Sequence, residues 1–191
     1  MTGHFKYIGS DKKGIKKPLF IDDNTALWLA RMVVGEGGAR CRRFKSSVLL
    51  NAIVNRWFLF PGAKRYSNFV SFIRAFSQPI NPRWMTGGDL VKKYIGRSNV
   101  SAARLARRAR ICALTWDGIP ASIRVSVNLF RKGWLLMPET VDKVACNWAS
   151  LPSTPTKYPW GCDVEGDWFF AEKTQRAGQV SFEEVTDEKM V

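Results

Sequence analysis

Apolar positions along the chain fall into short, strongly patterned runs. Ala26 to Val34 is almost wholly apolar, with Leu27, Ala30 and Val34 at i, i+3 and i+7 and with Leu29 and Val33 beside them. That spacing predicts a helix with one buried face. Asp22-Asp23-Asn24-Thr25 supplies its start, with acids suited to the N-terminal dipole, and Gly37-Gly38 supplies its end. A second helix is predicted from Lys45 to Phe60, with Val48, Leu49, Ala52, Ile53 and Leu59 as core positions and Pro61-Gly62 as its stop. A third runs from Asn68 to Phe76. Ser77 to Trp84 holds two prolines and is expected to be a rigid loop.

Helical periodicity returns at Val100–Trp116, Pro120–Arg131 and Pro138–Trp148, with Pro120 and Pro138 read as first-turn residues. Leu151 to Cys162 contains three prolines and reads as a loop, and Glu165–Ala171 reads as a short strand. The expectation is one mainly α domain of the α+β class, spanning residues 21–172. A basic arm, 1–20, precedes it and a polar, acidic tail, 173–191, follows it. No internal repeat is visible.

Composition narrows the chemistry. The chain has 191 residues, is 46% hydrophobic, and carries a formal net charge of +14. That apolar share suits a folded core and is too high for a disordered basic tail. The only histidine is His4. Hydrolases built on Ser-His-Asp or Cys-His, and zinc hydrolases with two or three histidines, are therefore poor fits. No metal and no cofactor is expected. Cys41, Cys112, Cys146 and Cys162 form no CxxC pair and read as free thiols. No apolar run is long enough to span a membrane.

The charge is concentrated. Residues 31–132 carry twenty Lys and Arg against Glu36, Asp89 and Asp117, whereas residues 163–191 carry three basic and eight acidic side chains. The basic block suits a polyanion, either nucleic acid or an anionic wall. Arg104, Arg107, Arg108 and Arg110 make its densest helix. No helix-turn-helix, zinc or RNA-binding signature accompanies it, so nucleic acid is the less favoured partner.

Glu36 is the one carboxylate between Asp23 and Asp89. It stands at a predicted helix C-terminus in apolar surroundings. Both settings disfavour a negative charge and raise a carboxyl pKa. A carboxylic acid kept protonated near neutral pH can donate to the leaving oxygen of a glycosidic bond. A solvated helix-end residue is the competing reading. The candidates for a second carboxylate, Asp89, Asp117, Glu139 and Asp163, lie far along the chain. Ser77, Gln78 and Asn81 offer hydrogen-bonding groups on the proline loop, Asn55 could reach the same cleft, and Trp84 and Tyr158 could stack on sugar faces. Trp57 and Trp160 are further candidates for stacking on sugar, although most buried tryptophans are core residues, and Arg56 reads as structural.

The run Ala30-Arg31-Met32-Val33-Val34-Gly35-Glu36-Gly37-Gly38, followed by Leu50-Asn51-Ala52-Ile53-Val54-Asn55-Arg56-Trp57, resembles the cell-wall hydrolase family typified by spore-cortex-lytic enzymes. Phe76-Ser77-Gln78-Pro79 stands where that family carries a Gln, Phe and Ser motif, with the order changed. Gly133 to Trp148 and Val164 to Phe170 resemble its closing segments. The resemblance covers roughly residues 24–171. It implies a lysozyme-like fold and cleavage of the N-acetylmuramic acid–N-acetylglucosamine bond in peptidoglycan, by hydrolysis or lytic transglycosylation, with Glu36 as acid and base. Met1 to Lys17 is polar, without the apolar core of a signal peptide. The matching expectation is a bacteriophage product, made in the host cytoplasm and reaching the wall with virion proteins such as a tail, or through a pore. The alternative is a non-catalytic basic virion or nucleic-acid-binding protein.

Overall fold

The computed structural model describes residues 4–10, 16–82, 101–135, 137–141, 145–150, 161–171 and 179–185. In chain order these form strands β1 (His4–Ser10) and β2 (Lys16–Leu19), then helices α1 (Asp23–Gly37), α2 (Arg43–Leu59), α3 (Phe69–Phe76), α4 (Ala102–Ala113) and α5 (Ala121–Arg131). Strands β3 (Asn147–Ser150), β4 (Gly161–Val164), β5 (Asp167–Phe170) and β6 (Gln179–Val185) follow. Short 3-10 turns occupy Pro61–Arg65 and Gln78–Ile80. The fold is mainly helical with small antiparallel sheets, the expected α+β class. Among the described residues, no helix is long and apolar enough to cross a membrane.

Helix α1 is the central element. Asp22 caps it by accepting a hydrogen bond from the Thr25 amide at 2.7 Å, as the acidic start signal implies. Its buried residues run Ala26, Leu29, Ala30, Met32, Val33, Val34 and Gly35, so it is enclosed around most of its circumference rather than along one stripe. It packs against α2, α3, α4 and α5. Leu29, Met32, Leu49, Leu50, Ile53, Phe72, Ile123, Phe130 and Phe169 are fully buried around it. Beside this core Trp57 meets Phe72 edge-on at 5.1 Å, and the Arg56 guanidinium lies 4.3 Å over the Phe76 ring. Arg56 is structural, as read from the sequence, whereas Trp57, a candidate for stacking on sugar, packs against the core instead.

Two expectations are corrected. The predicted helix Pro138–Trp148 does not form: Pro138–Val141 is a turn and Asn147–Ser150 is strand β3. Helical spacing there was local, whereas β3 pairs with β5, twenty residues further on, with Asn147 opposite Phe170 and Trp148 opposite Phe169. That ladder and the burial of Phe169 outweigh local periodicity. Strand β4, whose first two residues fall in the predicted loop, completes the sheet in the order β3-β5-β4. The arm and the tail, read as separate peripheral pieces, instead belong to one sheet ordered β2-β1-β6. It sets basic β1 antiparallel to acidic β6, with Lys6 opposite Glu183 in register. It lies against α2.

Smaller differences concern helix ends. Helix α1 continues through Glu36 to Gly37, and α4 is shorter than Val100–Trp116 at both ends. Pro120 is the N-cap of α5 rather than a first-turn residue.

Gly35 fixes how α1 meets the Gln78–Ile80 turn. A Cβ at Gly35 would stand 2.6 Å from Pro79 Cβ. Gly35→Ala gains about 1 kcal/mol of helix propensity but must displace a rigid proline ring, an overpacking cost of about 1–3 kcal/mol. The expected outcome is net destabilisation in urea unfolding. A variant as stable as wild type or more so would show that the turn yields freely.

Candidate active site

Glu36 lies in the last turn of α1. The helix ends at Gly38, whose φ of 79° is the left-handed conformation that favours glycine, and whose amide donates to Val34 O at 3.0 Å. The same turn is pressed against Pro79 at Gly35, and this contact brings in Ser77, the C-terminal cap of α3. Ser77 is fully buried, and its hydroxyl donates to Glu36 Oε1 at 2.8 Å.

The opposite side is built by the small sheet. Trp148 on β3 gives Glu36 a second side-chain hydrogen bond. Asp167, the first residue of β5, acts on Glu36 as a negative charge. Its position follows from the β4–β5 hairpin. Glu165 and Gly166 both have positive φ, 50° and 84°, and Asp163 accepts from the Gly166 amide at 3.0 Å. Two left-handed residues in a two-residue loop suit the twist of a tight hairpin. Lys45 of α2 clamps the hairpin: its ammonium lies 2.8 Å from Asp167 Oδ2 and donates to Glu165 O at 3.2 Å. Arg107 of α4 donates to Gly35 O at 3.1 Å, satisfying a carbonyl in the last turn of α1. Its positive charge also reaches Glu36.

These contacts decide the protonation of Glu36. The residue is half-buried, but its carboxyl is surrounded by protein atoms. Desolvation is the largest influence and raises its pKa above the ordinary 4.5. The Ser77 and Trp148 hydrogen bonds pull it down, Asp167 pushes it up, and Arg107 pulls it down. The net direction is upward, as expected from the sequence, and burial is the main reason.

The other candidates separate into distinct roles. Asn55 is buried and donates to Ala145 O at 3.0 Å, tying α2 to the segment that leads into β3. Asn81 is buried and donates to Ala75 O at 2.6 Å, bracing the loop against α3. Gln78 is exposed on the 3-10 turn. Trp84, Tyr158 and Trp160 lie outside the described residues, as does Asp89. Of the other proposed second carboxylates, Asp117 stands 3.4 Å from Arg124, Asp163 serves the hairpin turn, and Glu139 is exposed. Among the described supporting residues, Ser77 bonds directly to Glu36. A cavity of about 380 Å³ between Arg43, Phe44, Ser47, Trp134, Leu135 and Pro138 does not include Glu36.

Sequence reasoning missed Trp148, Asp167, Lys45 and the role of Arg107. Glu165-Gly166 between Cys162-Asp163-Val164 and Asp167-Trp168-Phe169 was the available signal for the hairpin, because such a dipeptide between alternating residues marks a two-residue turn.

Two measurements test this electrostatic picture. Ser77→Ala removes a bond that favours the charged carboxylate, so the Glu36 titration midpoint should rise further in carboxyl-resolved NMR; an unchanged or lower midpoint contradicts it. A raised folded-state pKa means the wild type is relieved of the burial cost below the ordinary value of 4.5 and loses that stability as pH climbs through the folded pKa. Glu36→Gln should therefore gain stability relative to wild type across that rise in urea unfolding, and a pH-independent difference contradicts the shift. Among proteins of known family, curated function or solved structure, none matches this chain.

Proposed function

We propose that this protein cleaves the glycan strands of peptidoglycan at the N-acetylmuramic acid–N-acetylglucosamine bond, with Glu36 as general acid and base. The observation that carries this reading is the enclosed Glu36 carboxyl, held by Ser77 and Trp148 with its pKa raised. A proton donor at a glycosidic oxygen must hold its proton near neutral pH, and this environment favours that form. The resemblance of the Gly35-Glu36-Gly37 segment to cell-wall hydrolases supports the same assignment, and with it a lysozyme-like arrangement.

The acid step transfers the Glu36 proton to the leaving oxygen as the glycosidic bond breaks. The resulting carboxylate then takes a proton from the nucleophile. Water as nucleophile yields a reducing end; the muramic acid C6 hydroxyl yields a 1,6-anhydro end. Asp167 is engaged by Lys45 at 2.8 Å, which favours one working carboxylate, with the substrate N-acetyl group supplying assistance. The cationic body, with Arg104, Arg107 and Arg110 exposed on α4, suits an anionic wall, reached as part of a virion or through a pore.

The same exposed arginines favour a second reading, a non-catalytic protein that holds nucleic acid. Digestion of purified peptidoglycan separates the two. Wild type should release soluble muropeptides and Glu36→Gln should release them at least about 10²-fold more slowly. Mass analysis of the ends distinguishes hydrolysis from transglycosylation. Equal release by both proteins removes Glu36 from the mechanism. No release by either, with steeply salt-dependent DNA binding, replaces the first reading with the second.

A further inference from the structure

The cavity that excludes Glu36 has a construction of its own. Its volume, about 380 Å³, is within the range of small-ligand sites. One wall comes from the first turns of α2, where Arg43, Phe44 and Ser47 line it. Lys45, which clamps the β4–β5 hairpin, does not line it. Two residues from both Arg43 and Ser47, Lys45 projects about 160° away from each around the helix. The cavity and the hairpin that carries Asp167 thus lie on opposite sides of one helix end.

The other wall is Trp134, Leu135 and Pro138, just past α5. Hydrogen bonds fix its place. Gly133, at φ 74°, ends α5; its amide donates to Phe130 O at 3.0 Å, and that of Trp134 donates to Leu129 O at 2.9 Å. This paired closure of a helix end turns the chain at a set angle. Asn51, one turn along α2 from Ser47, is buried and donates to Leu135 O at 3.0 Å and to Ser47 O at 2.9 Å. It ties the two walls together.

Exposure singles out the aromatic lining. Trp134 is 66% exposed and Phe44 is 44% exposed, although most large apolar side chains among the described residues are packed inside. An exposed apolar residue standing alone carries no message, but two aromatic rings on the two walls of one cavity do. The Lys132 ammonium stands 5.6 Å from the centre of the Trp134 ring, and Lys132 is not part of the lining. It steadies the indole without filling the cavity. A pyranose ring fits this chemistry. Its faces present C–H groups, which pack on the electron-rich face of an aromatic ring. Its edge carries hydroxyl and acyl oxygens, which accept from a guanidinium such as that of Arg43. An aliphatic ligand would leave Arg43 unused, and a bare anion would leave both rings unused.

We propose that this cavity is a second glycan-binding site, which takes an N-acetylated sugar ring against Trp134 and Phe44 with Arg43 donating to its oxygens. The choice of glycan rests on the peptidoglycan reading; the site itself stands on its lining. Its role is retention: a protein held to the wall by one glycan segment meets further segments at raised local concentration.

The test is an NMR titration of Glu36→Gln protein with the N-acetylglucosamine tetramer, following the Trp134 indole and the Leu135 amide. The Trp148 indole, which bonds to residue 36 in the wild type, reports on the candidate active site separately. Both Trp134 and Leu135 signals should shift saturably. Adding Trp134→Ala should weaken the binding seen at Leu135 on the order of tenfold, the loss of one stacking contact. Adding Phe20→Ala, which removes an exposed aromatic ring outside the cavity, should leave that binding unchanged. Both Trp134 and Phe20 are at least half exposed, so neither change threatens the core. No shift at Trp134 and Leu135, or equal binding in the Trp134→Ala and Phe20→Ala proteins, overturns the site. A thymidine oligonucleotide that shifts the same signals at lower concentration than the sugar overturns glycan as the occupant. Muropeptide release by wild type without this binding removes the second site alone and leaves the catalytic reading standing. Sugar binding at Trp134 without muropeptide release keeps the site and removes the catalytic reading.

Discussion

The approach of Pro79 to Gly35 sets the geometry on which the candidate site depends. Pro79 sits over a position where any side chain would collide with it, so the α1 backbone itself forms the contact. Ser77 lies two residues before Pro79, at the end of α3, and the contact brings its hydroxyl to 2.8 Å from Glu36. Asn81, on the far side of the turn, ties the chain back to Ala75. The turn is thus held at both ends and pressed in its middle. The serine that orients the acid has little freedom, since it is fully buried and its amide donates to Ile73 O at 3.0 Å. Preorganisation of this kind lets a proton donor act without first being ordered.

The small sheet closes the other side through longer-range links. Asn55 of α2 holds the segment entering β3, and Lys45, nearly three turns earlier on α2, clamps the β4–β5 hairpin. Helix α2 therefore positions both Trp148 and Asp167. Gly161, opposite Phe170 in β4, is needed for the same assembly, because a Cβ there would stand 2.5 Å from the Trp168 indole nitrogen. Asn55, read from the sequence as a cleft residue, contributes by holding the strand that carries Trp148.

Helix starts were legible where a side chain marks them locally. Asp22 caps α1 as its sequence context implies, and Asn68, read as the first residue of the third helix, is the cap of α3. The location of Glu36 at a helix end and the direction of its pKa shift were legible for the same reason: both follow from an apolar helical run that stops at two glycines. Trp148 was not legible. Its segment has helical spacing, and its strand exists only because β5 lies beside it. Asp167 was passed over among the acids near the chain's end, since nothing local distinguishes it from Asp163. Lys45, placed inside a predicted helix, gave no sign that it would be buried and paired 122 residues away with Asp167. The pairing of β1 with β6 joins opposite ends of the chain, which composition described only as basic and acidic.

A raised carboxyl pKa inside a strongly basic protein needs a physical reason, because nearby cations favour the carboxylate. The arrangement keeps most of those cations from acting on Glu36. Lys45, the ammonium close to the site, is matched by Asp167 at 2.8 Å, so the pair presents much less net charge than either member. What Asp167 still exerts on Glu36 raises its pKa. Arg107 is the cation that opposes this. Its guanidinium is exposed and bound to Gly35 O, where solvent weakens its field on the carboxyl. The exposed arginines of α4 face water, where screening shortens their reach to about 8–10 Å. Desolvation of the carboxyl suffers no such screening, which is why it remains the largest influence on Glu36. The basic surface can therefore attract a polyanion from a distance while desolvation holds the Glu36 pKa above its ordinary value.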